Sequence, residues 1–530
     1  MRSGSSGIIS IPVKNNEFQK RDRKDEKQME TLIYLFSGFQ TALTFQNIGA
    51  AAIGAVLGII VGAMPGIGSL VGVALLLPLT YAFNPTTAII MLGAIYYANM
   101  FGGAFSSILI NVPGDAPAIM TALDGYPLAR KGKPGKALMT ANMASFVGGL
   151  LGMIVLTFFG PALAQFGLKF GPAEMTTLML VALSSISWLI EGDVLKGLAA
   201  TCIGILISTI GISTNTSAAR YTFGVVHLLS GINFIPLVVG FIGMAQVFNL
   251  LGQQERENDL VVSKLGIKDC KMSRDDLSRM VEPTVRGGLF GSVIGFIPGA
   301  GATMASIVNY TIQKKSRRNK EKLGTGAIEG IAASEAANNG AAAGAFGPLL
   351  ALGIPGSGTT AVLLGGLMMW GLQPGPRLFT DSPDFAWGLI SSLYVSNLIA
   401  LILALVMIPF IMKVICIPNR ILIPTITVVC FVGAYASTTS MWGVLIMIIG
   451  GILGYAFQRY GYSASPMLLA SILSVTFEVN LRRALNISGG SPAIFVQKPL
   501  SLIFLLIFIG LLFSPVIRKA YKKAHAEKAA

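Results

Sequence analysis

Apolar residues run along this chain in stretches long enough for about 20 helical residues to cross a ~30 Å hydrocarbon core, and polar residues gather in short segments between them. Two of the apolar stretches are broken in the same way. Gly62-Ala63-Met64-Pro65-Gly66-Ile67-Gly68 is answered by Gly295-Phe296-Ile297-Pro298-Gly299-Ala300-Gly301. A second break follows each: Ala104-Phe105 leads to Pro113-Gly114, and Ala345-Phe346 leads to Pro355-Gly356. Pro removes a backbone donor and Gly loosens the backbone, so both interrupt helices. Inside a bilayer, irregular backbone survives only where protein or a water-filled cavity satisfies its freed N–H and C=O groups. Paired breaks in two halves of a hydrophobic chain therefore point to the binding site of a transporter.

The pattern predicts an all-α polytopic membrane protein of about ten to twelve spans. Full spans fit residues 137–163, 172–190, 194–213 and 228–251 between the two motif copies. After the second copy they fit 385–413, 421–436, 440–457, 464–480 and 500–517. Residues 1–30 read as a disordered basic tail, 31–252 as a first membrane half, 253–286 as a cytoplasmic loop, 287–517 as a second half, and 518–530 as a C-terminal tail.

Hydrophobic residues make up 53% of the chain and charged residues 12%, which excludes an ordinary soluble domain. The net charge of +15 does not imply nucleic-acid binding. The basic residues sit in short loops, as the positive-inside rule expects, and no basic face is interleaved with aromatics. Cys202, Cys270, Cys416 and Cys430 lack metal-ligand spacing, and His227 and His525 cannot complete a site with them. No apolar core and cleavage site mark the first 30 residues as a secretory signal.

The same basic loops set orientation. Arg130, Lys131, Lys133 and Lys136 mark one cytoplasmic loop, and the segment from Arg256 to Arg286 marks a second with its acids. Lys314, Lys315, Arg317, Arg318, Lys320 and Lys322 mark a third, and Arg518, Lys519, Lys522 and Lys523 place the C-terminus inside. In the first copy the linker between the breaks is uncharged and the following loop is basic; in the second the pattern is swapped. The two copies are thus expected to lie upside-down relative to each other, as inverted repeats. Residues 287–313 join two cytoplasmic loops but are too short for two spans at 1.5 Å per residue. They fit a re-entrant hairpin with its tip at Pro298–Gly301, and by inversion 48–80 form a hairpin with its tip at Pro65–Gly68. The second elements, 88–125 and 326–372, must cross an odd number of times.

Helix N-termini after Pro-Gly present free N–H groups that suit a carboxylate, and helix C-termini present carbonyls that suit Na⁺. Candidate substrate-binding residues are Pro65, Gly66, Gly68, Ser69, Asn111, Pro113, Gly114, Asn338, Asn339, Pro355, Gly356, Ser357 and Thr359. A Na⁺ site is expected near Pro298, Gly299, Gly301, Thr303, Asp115 and Glu335, with H⁺ the alternative coupling ion and no tightly bound cofactor. For any single Ser, Thr or Gly, helix packing is the competing reading. The adjacent amides of Asn338 and Asn339 are more pointed, because an apolar helix tolerates them at a cost. Glu335 reads equally as a cation ligand or half of an ion pair. Asp124, Glu191 and Asp193 read as interfacial, and Arg220 and Arg377 as outer-surface residues. No nucleophile–base set, HExxH or Walker A motif occurs, so neither an enzyme nor a primary pump is indicated.

The run from Gly62 through Gly149 contains PGIGSLVGVALLLPLTYAF, MLGAIYYANMFGGAFSSILINVPGD and TALDGYPLARKGKPGKAL. That from Glu329 through Phe379 reads EGIAASEAANNGAAAGAFGPLLALGIPGSGTTAVLLGGLMMWGLQPGPRLF. Both resemble the large membrane subunit of tripartite tricarboxylate transporters, over essentially residues 31–517. The resemblance implies an uptake system in a bacterial inner membrane, driven by an ion gradient, commonly of Na⁺. It also implies a periplasmic solute-binding protein, a small membrane subunit and a di- or tricarboxylate such as citrate. The motifs depart from the family's at Asn99 and Met100, and at Asp115, where a hydroxyl residue is common and a negative charge would repel an anion. Transport by alternating access is expected, elevator-like, with hairpins and broken helices moving against a scaffold of full spans. A channel, or a transporter that needs no binding protein, is the alternative.

Overall fold

In a computed structural model of the chain, residues 15–189, 194–213, 216–252, 266–299 and 301–513 are described. They are helical almost throughout, with one short antiparallel pairing of Gly211–Ile212 with Ala219–Arg220. Eight of the described helices are long and apolar enough to cross a membrane, and four shorter apolar ones accompany them. The chain is an all-α polytopic membrane protein.

Each Pro-Gly break makes a helical hairpin. Helices Phe45–Ala63 and Gly68–Leu76 form the first, Arg274–Gly295 and Gly301–Lys314 the second. The two tips share one backbone shape: Gly66 and Gly299 have φ of 81° and 82°, Gly68 and Gly301 of 62° and 61°. Only glycine adopts such values freely, and the preceding proline ends the first arm.

The first arm of each hairpin lies parallel to the long helix that follows it. Gly54, Gly58 and Gly62 meet Met91, Ile95 and Asn99, while Gly291 and Gly295 meet Ala337 and Ala341. Small residues four apart let the backbones approach this closely. The first tip stops abreast of Gly102, and helix Pro85–Ile110 runs on for about 12 Å at 1.5 Å per residue. There Asn111 closes the helix in the left-handed conformation, φ 57°. The chain then doubles back until Gly114 lies against Gly62 and Gly103, and helix Ile119–Arg130 leads out again. The second copy repeats this. Helices Ile328–Gly344 and Phe346–Leu352 end at left-handed Gly353, Gly356 returns to lie against Gly295 and Ala345, and helix Gly358–Met369 leads out. Each second element is thus one long helical run plus a half-length return.

The two central helices pass in opposite directions: Tyr97 meets Asn339, and Gly93 faces Phe346. The long helix after the first copy, Pro134–Gly167, packs on the second copy through Gly148 on Ala336 and Gly152 on Gly340. Its counterpart, Pro383–Ile415, reaches the first copy at Gly93 through Leu389 and Leu393. The remaining helices pack against one another, with Gly204 on Met467 and Gly240 on Met447. They meet the broken units where Pro78 touches Gly433 and Ser465 touches Gly358.

Several expected boundaries move. Residues 15–30, placed in a disordered tail, belong to helix Asn15–Ala42, whose sequence has no Gly or Pro before Gly38 to stop it. Residues 274–286, placed in the 253–286 loop, form the start of the second hairpin. Ser273 caps that helix by accepting the Asp276 N–H at 3.1 Å, and the Asp276 carboxylate returns to the Ser273 N–H at 2.9 Å. The span expected to end at 480 runs from Ala464 to Ile487, with Glu478 bonded to Arg482 one turn on. Residues 1–14, 253–265 and the 518–530 tail lie outside the described residues, as do Glu191 and Asp193.

Candidate functional site

The first tip carries a protein anion. Asp115, in the extended segment after Gly114, accepts the N–H of Ser69 at 2.8 Å with one carboxylate oxygen and that of Ala116 at 2.8 Å with the other. Ser69 belongs to the first turn of helix Gly68–Leu76, so the carboxylate sits where the unpaired N–H groups and the positive helix end attract negative charge. Gly68 is favoured as glycine by its φ, and a Cβ there would also crowd the Asp115 carboxylate at 3.1 Å.

At the second tip the corresponding neighbour is neutral. Ser357 faces Gly301, 4.0 Å from where a Cβ would stand, and Gly299 donates its N–H to the Gly356 carbonyl at 3.0 Å. Ser357 caps helix Gly358–Met369 by accepting the Thr360 N–H at 3.3 Å, while the Thr360 hydroxyl accepts the Ser357 N–H at 2.8 Å. The copies touch at Ser69 and Thr359, whose hydroxyls are 3.0 Å apart. Pro65, Gly66, Gly68 and Asp115 on one side, and Pro298, Gly299, Gly301, Thr303 and Ser357 on the other, keep some exposure; Pro355, Gly356 and Thr359 are buried behind them.

Not every expected residue lies at the tips. Asn111 is exposed at the far end of its helix, and its role is to close that helix. Asn338 and Asn339 are fully buried. Asn339 lies six residues before Ala345, about 9 Å along the axis from the level of the Pro355 break. Glu335 is about 15 Å from that level by the same measure. It accepts hydrogen bonds from Thr121, from Ser145 at 2.9 Å and from Asn338 at 3.2 Å. The ion-pair reading of Glu335 fails, because no salt bridge among the described residues includes it.

Asp124 sits beside the start of helix Ile328–Gly344, just after the basic loop 314–322. It is fully buried, and one of its oxygens accepts the N–H groups of Gly324, Gly326 and Ala327 at 2.8, 2.9 and 2.8 Å. Its other oxygen takes the Tyr310 hydroxyl at 2.8 Å. It caps the N-terminus of helix Ile328–Gly344 from the other copy, a role hidden by the sequence distance between the partners. Arg220 does not stand free but pairs with Glu478 at 2.8 Å; Arg377 is exposed. Sequence reasoning passed over Ser145 and Tyr97, whose hydroxyl donates to the Asn339 carbonyl at 3.2 Å. Their signal was a polar atom in the middle of an apolar span.

Apolar helices long enough to cross a membrane, with two helical hairpins broken at Pro-Gly, define a polytopic membrane protein. Comparison with known proteins then names the kind. The model of the tripartite tricarboxylate transporter TctA family matches residues 48–469, and the chain belongs to that family. An Agrobacterium vitis protein described as an uncharacterized 52.8 kDa protein in the TAR-I ttuC' 3' region is 38% identical over 503 residues, 94% of this chain and 100% of the relative. Another from the same organism, in the TAR-II ttuC' 3' region, is 38% identical over 240 residues, 45% of this chain and 99% of its own length. No solved structure matches. The family is one of transporters, not enzymes.

Proposed function

We propose that this chain is the large permease subunit of a binding-protein-dependent secondary transporter that imports a di- or tricarboxylate across a bacterial inner membrane, its C-terminus cytoplasmic. A periplasmic solute-binding protein would deliver the solute, and a small membrane subunit would complete the complex. The antiparallel passage of the two central helices supports an inverted-repeat, alternating-access design.

The observation that carries the reading is the contrast between two tips of one backbone shape. Asp115 already holds the positive helix end of the first tip. A second carboxylate 4 Å away would meet a repulsion of about 4 kcal/mol at an effective dielectric of 20. The first tip therefore suits a cation, Na⁺ in this reading, beside Asp115. The second tip offers the N-termini of helices Gly301–Lys314 and Gly358–Met369, with neutral Ser357 and Thr359, and suits the carboxylate. Of the residues expected near a cation, this reading keeps Asp115 and gives up those around Pro298; Ser357 and Thr359 stay on the substrate side, as expected.

The test is uptake into proteoliposomes, with the candidate binding protein, the small subunit and an imposed Na⁺ gradient, scanned across small carboxylates. Asp115→Asn is expected to lose the Na⁺ dependence, and Ser357→Ala to raise the half-saturating carboxylate concentration. Uptake by the native protein that ignores the gradient, or an unchanged Na⁺ dependence in Asp115→Asn, would sink the reading.

A further inference from the structure

Beyond the tips, we propose a second cation position, built around Glu335 and taking a monovalent metal ion of the size of Na⁺. It deepens the ion-coupling reading above and rests on it only for what the bound ion drives. Other buried carboxylates of the described chain are compensated in visible ways. Glu329 pairs with Arg279 at 2.8 Å, Asp276 with Lys136 at 2.6 Å, and Asp124 has its backbone amides. Glu335 is fully buried at membrane depth with neither a cation nor a backbone amide, an arrangement that is costly unless something positive binds there.

Its surroundings are oxygen-rich. The hydroxyls of Thr121 and Ser145 and the Asn338 amide donate to its carboxylate, and Ser334 lies 3.0 Å from Thr121. A hydroxyl that donates to the carboxylate keeps lone pairs free for a metal ion. Asn339 supplies an independent sign: its amide nitrogen donates to Asn338 at 2.7 Å and to the Glu335 carbonyl at 3.0 Å, while its buried side-chain oxygen has no partner. That leaves an unpaired buried acceptor one helical turn along from Glu335. One carboxylate neutralises one positive charge, and no cluster of three His, Cys, Asp or Glu occurs among the described residues, so the donor set favours a monovalent over a divalent ion.

The position also has leverage. Thr121 lies in the first turn of the half-helix Ile119–Arg130, six residues after Asp115; Ser145 stands on the long helix Pro134–Gly167, and Glu335 on the central helix of the other copy. An ion gripped by all three would draw that half-helix towards Glu335 and fix the segment from which Asp115 caps the first tip.

The experiment follows thermal unfolding of the purified full-length protein as NaCl replaces choline chloride at constant ionic strength, at pH 6 and pH 8, with no substrate or partner present. A bound ion raises the unfolding temperature in a saturable way. The native protein and Asp115→Asn are expected to show a Na⁺-dependent rise; Glu335→Gln is expected to lose part of the native rise, and Asp115→Asn combined with Glu335→Gln to lose it all. Thr121→Val, which keeps the carboxylate, is expected to need at least about tenfold more Na⁺. Should Glu335→Gln fail to fold, Thr121→Val and Ser145→Ala carry the test. A Na⁺ titration of Glu335→Gln, or of both hydroxyl variants, that superposes on the native one overturns the proposal. Stabilisation that follows pH but not Na⁺ overturns it in favour of a proton. Because nothing is transported, a chain that imports no carboxylate still reports on Glu335, and the two readings fail separately.

Discussion

What a carboxylate does in this molecule depends on which donors reach it. Asp115 and Asp124 each hold backbone amides, one at a tip and partly exposed, one sealed between copies; Glu335 holds only side chains. Asp276 is a fourth case, at the start of the second hairpin and outside the membrane-spanning part. Burial acts to raise its pKa, but the Lys136 ammonium at 2.6 Å and the Ser273 cap outweigh burial and hold it below the usual carboxylate range. A depressed folded pKa gives stability that is present above the unfolded value of about 3.9 and lost as pH falls through the folded one. Asp276→Asn is therefore expected to lower the unfolding temperature at pH 7, and the gap from the native protein to close below about pH 4. A gap that stays constant down to pH 3 would show that the charge plays no part. Asp115 stood out in the sequence as an acid where related motifs carry a hydroxyl, and Glu335 as an acid in an Ala/Gly-rich run. The partners of Asp124 could not be read, because the amides that hold its carboxylate lie in the other half.

At the level of elements, the breaks were legible and the packing was not. Pro65, Pro298 and the glycines beside them announce a helix stop by local chemistry alone, and the hairpins follow from loop charge and chain length. The parallel seams between each first arm and its central helix needed coordinates, since a glycine spacing of four occurs throughout apolar sequence. Such a seam is intolerant of side chains: a Cβ on Gly291 would strike the Ala337 carbonyl, whereas Gly49 in the other hairpin has open space. Gly291→Val is expected to destabilise by about 1–3 kcal/mol and Gly49→Ala to be neutral or slightly stabilising, by thermal unfolding in detergent. Equal behaviour of the two variants would refute the seam.

For the whole molecule, the proposed mechanism requires the broken units to move against the remaining helices, and the structure offers a place to stop them. A Cβ built on Gly358 is 3.2 Å from that of Ser465, close to the spacing a disulfide spans. Gly358→Cys with Ser465→Cys, with Cys202, Cys270, Cys416 and Cys430 replaced, is expected to lose uptake on oxidation and regain it on reduction. Full uptake by the oxidised, cross-linked protein would exclude relative motion at this contact. Loop charge carries an expectation about sides, because charge is local. It could not reveal that Pro134–Gly167 packs on the second copy, because that depends on the matching surfaces of two distant helices.

The Asp124 cap has a bearing on how the protein is made. A chain emerges from the ribosome N-terminus first, so helix Ile119–Arg130 is synthesised about 200 residues before the amides that will satisfy its carboxylate. Until then Asp124 must wait in water or at the membrane surface. The first half thus enters the bilayer as an unfinished piece, and the arrival of residues 324–327 closes both halves at once. A chain interrupted after the first half would be left with an acid whose backbone partners never arrive.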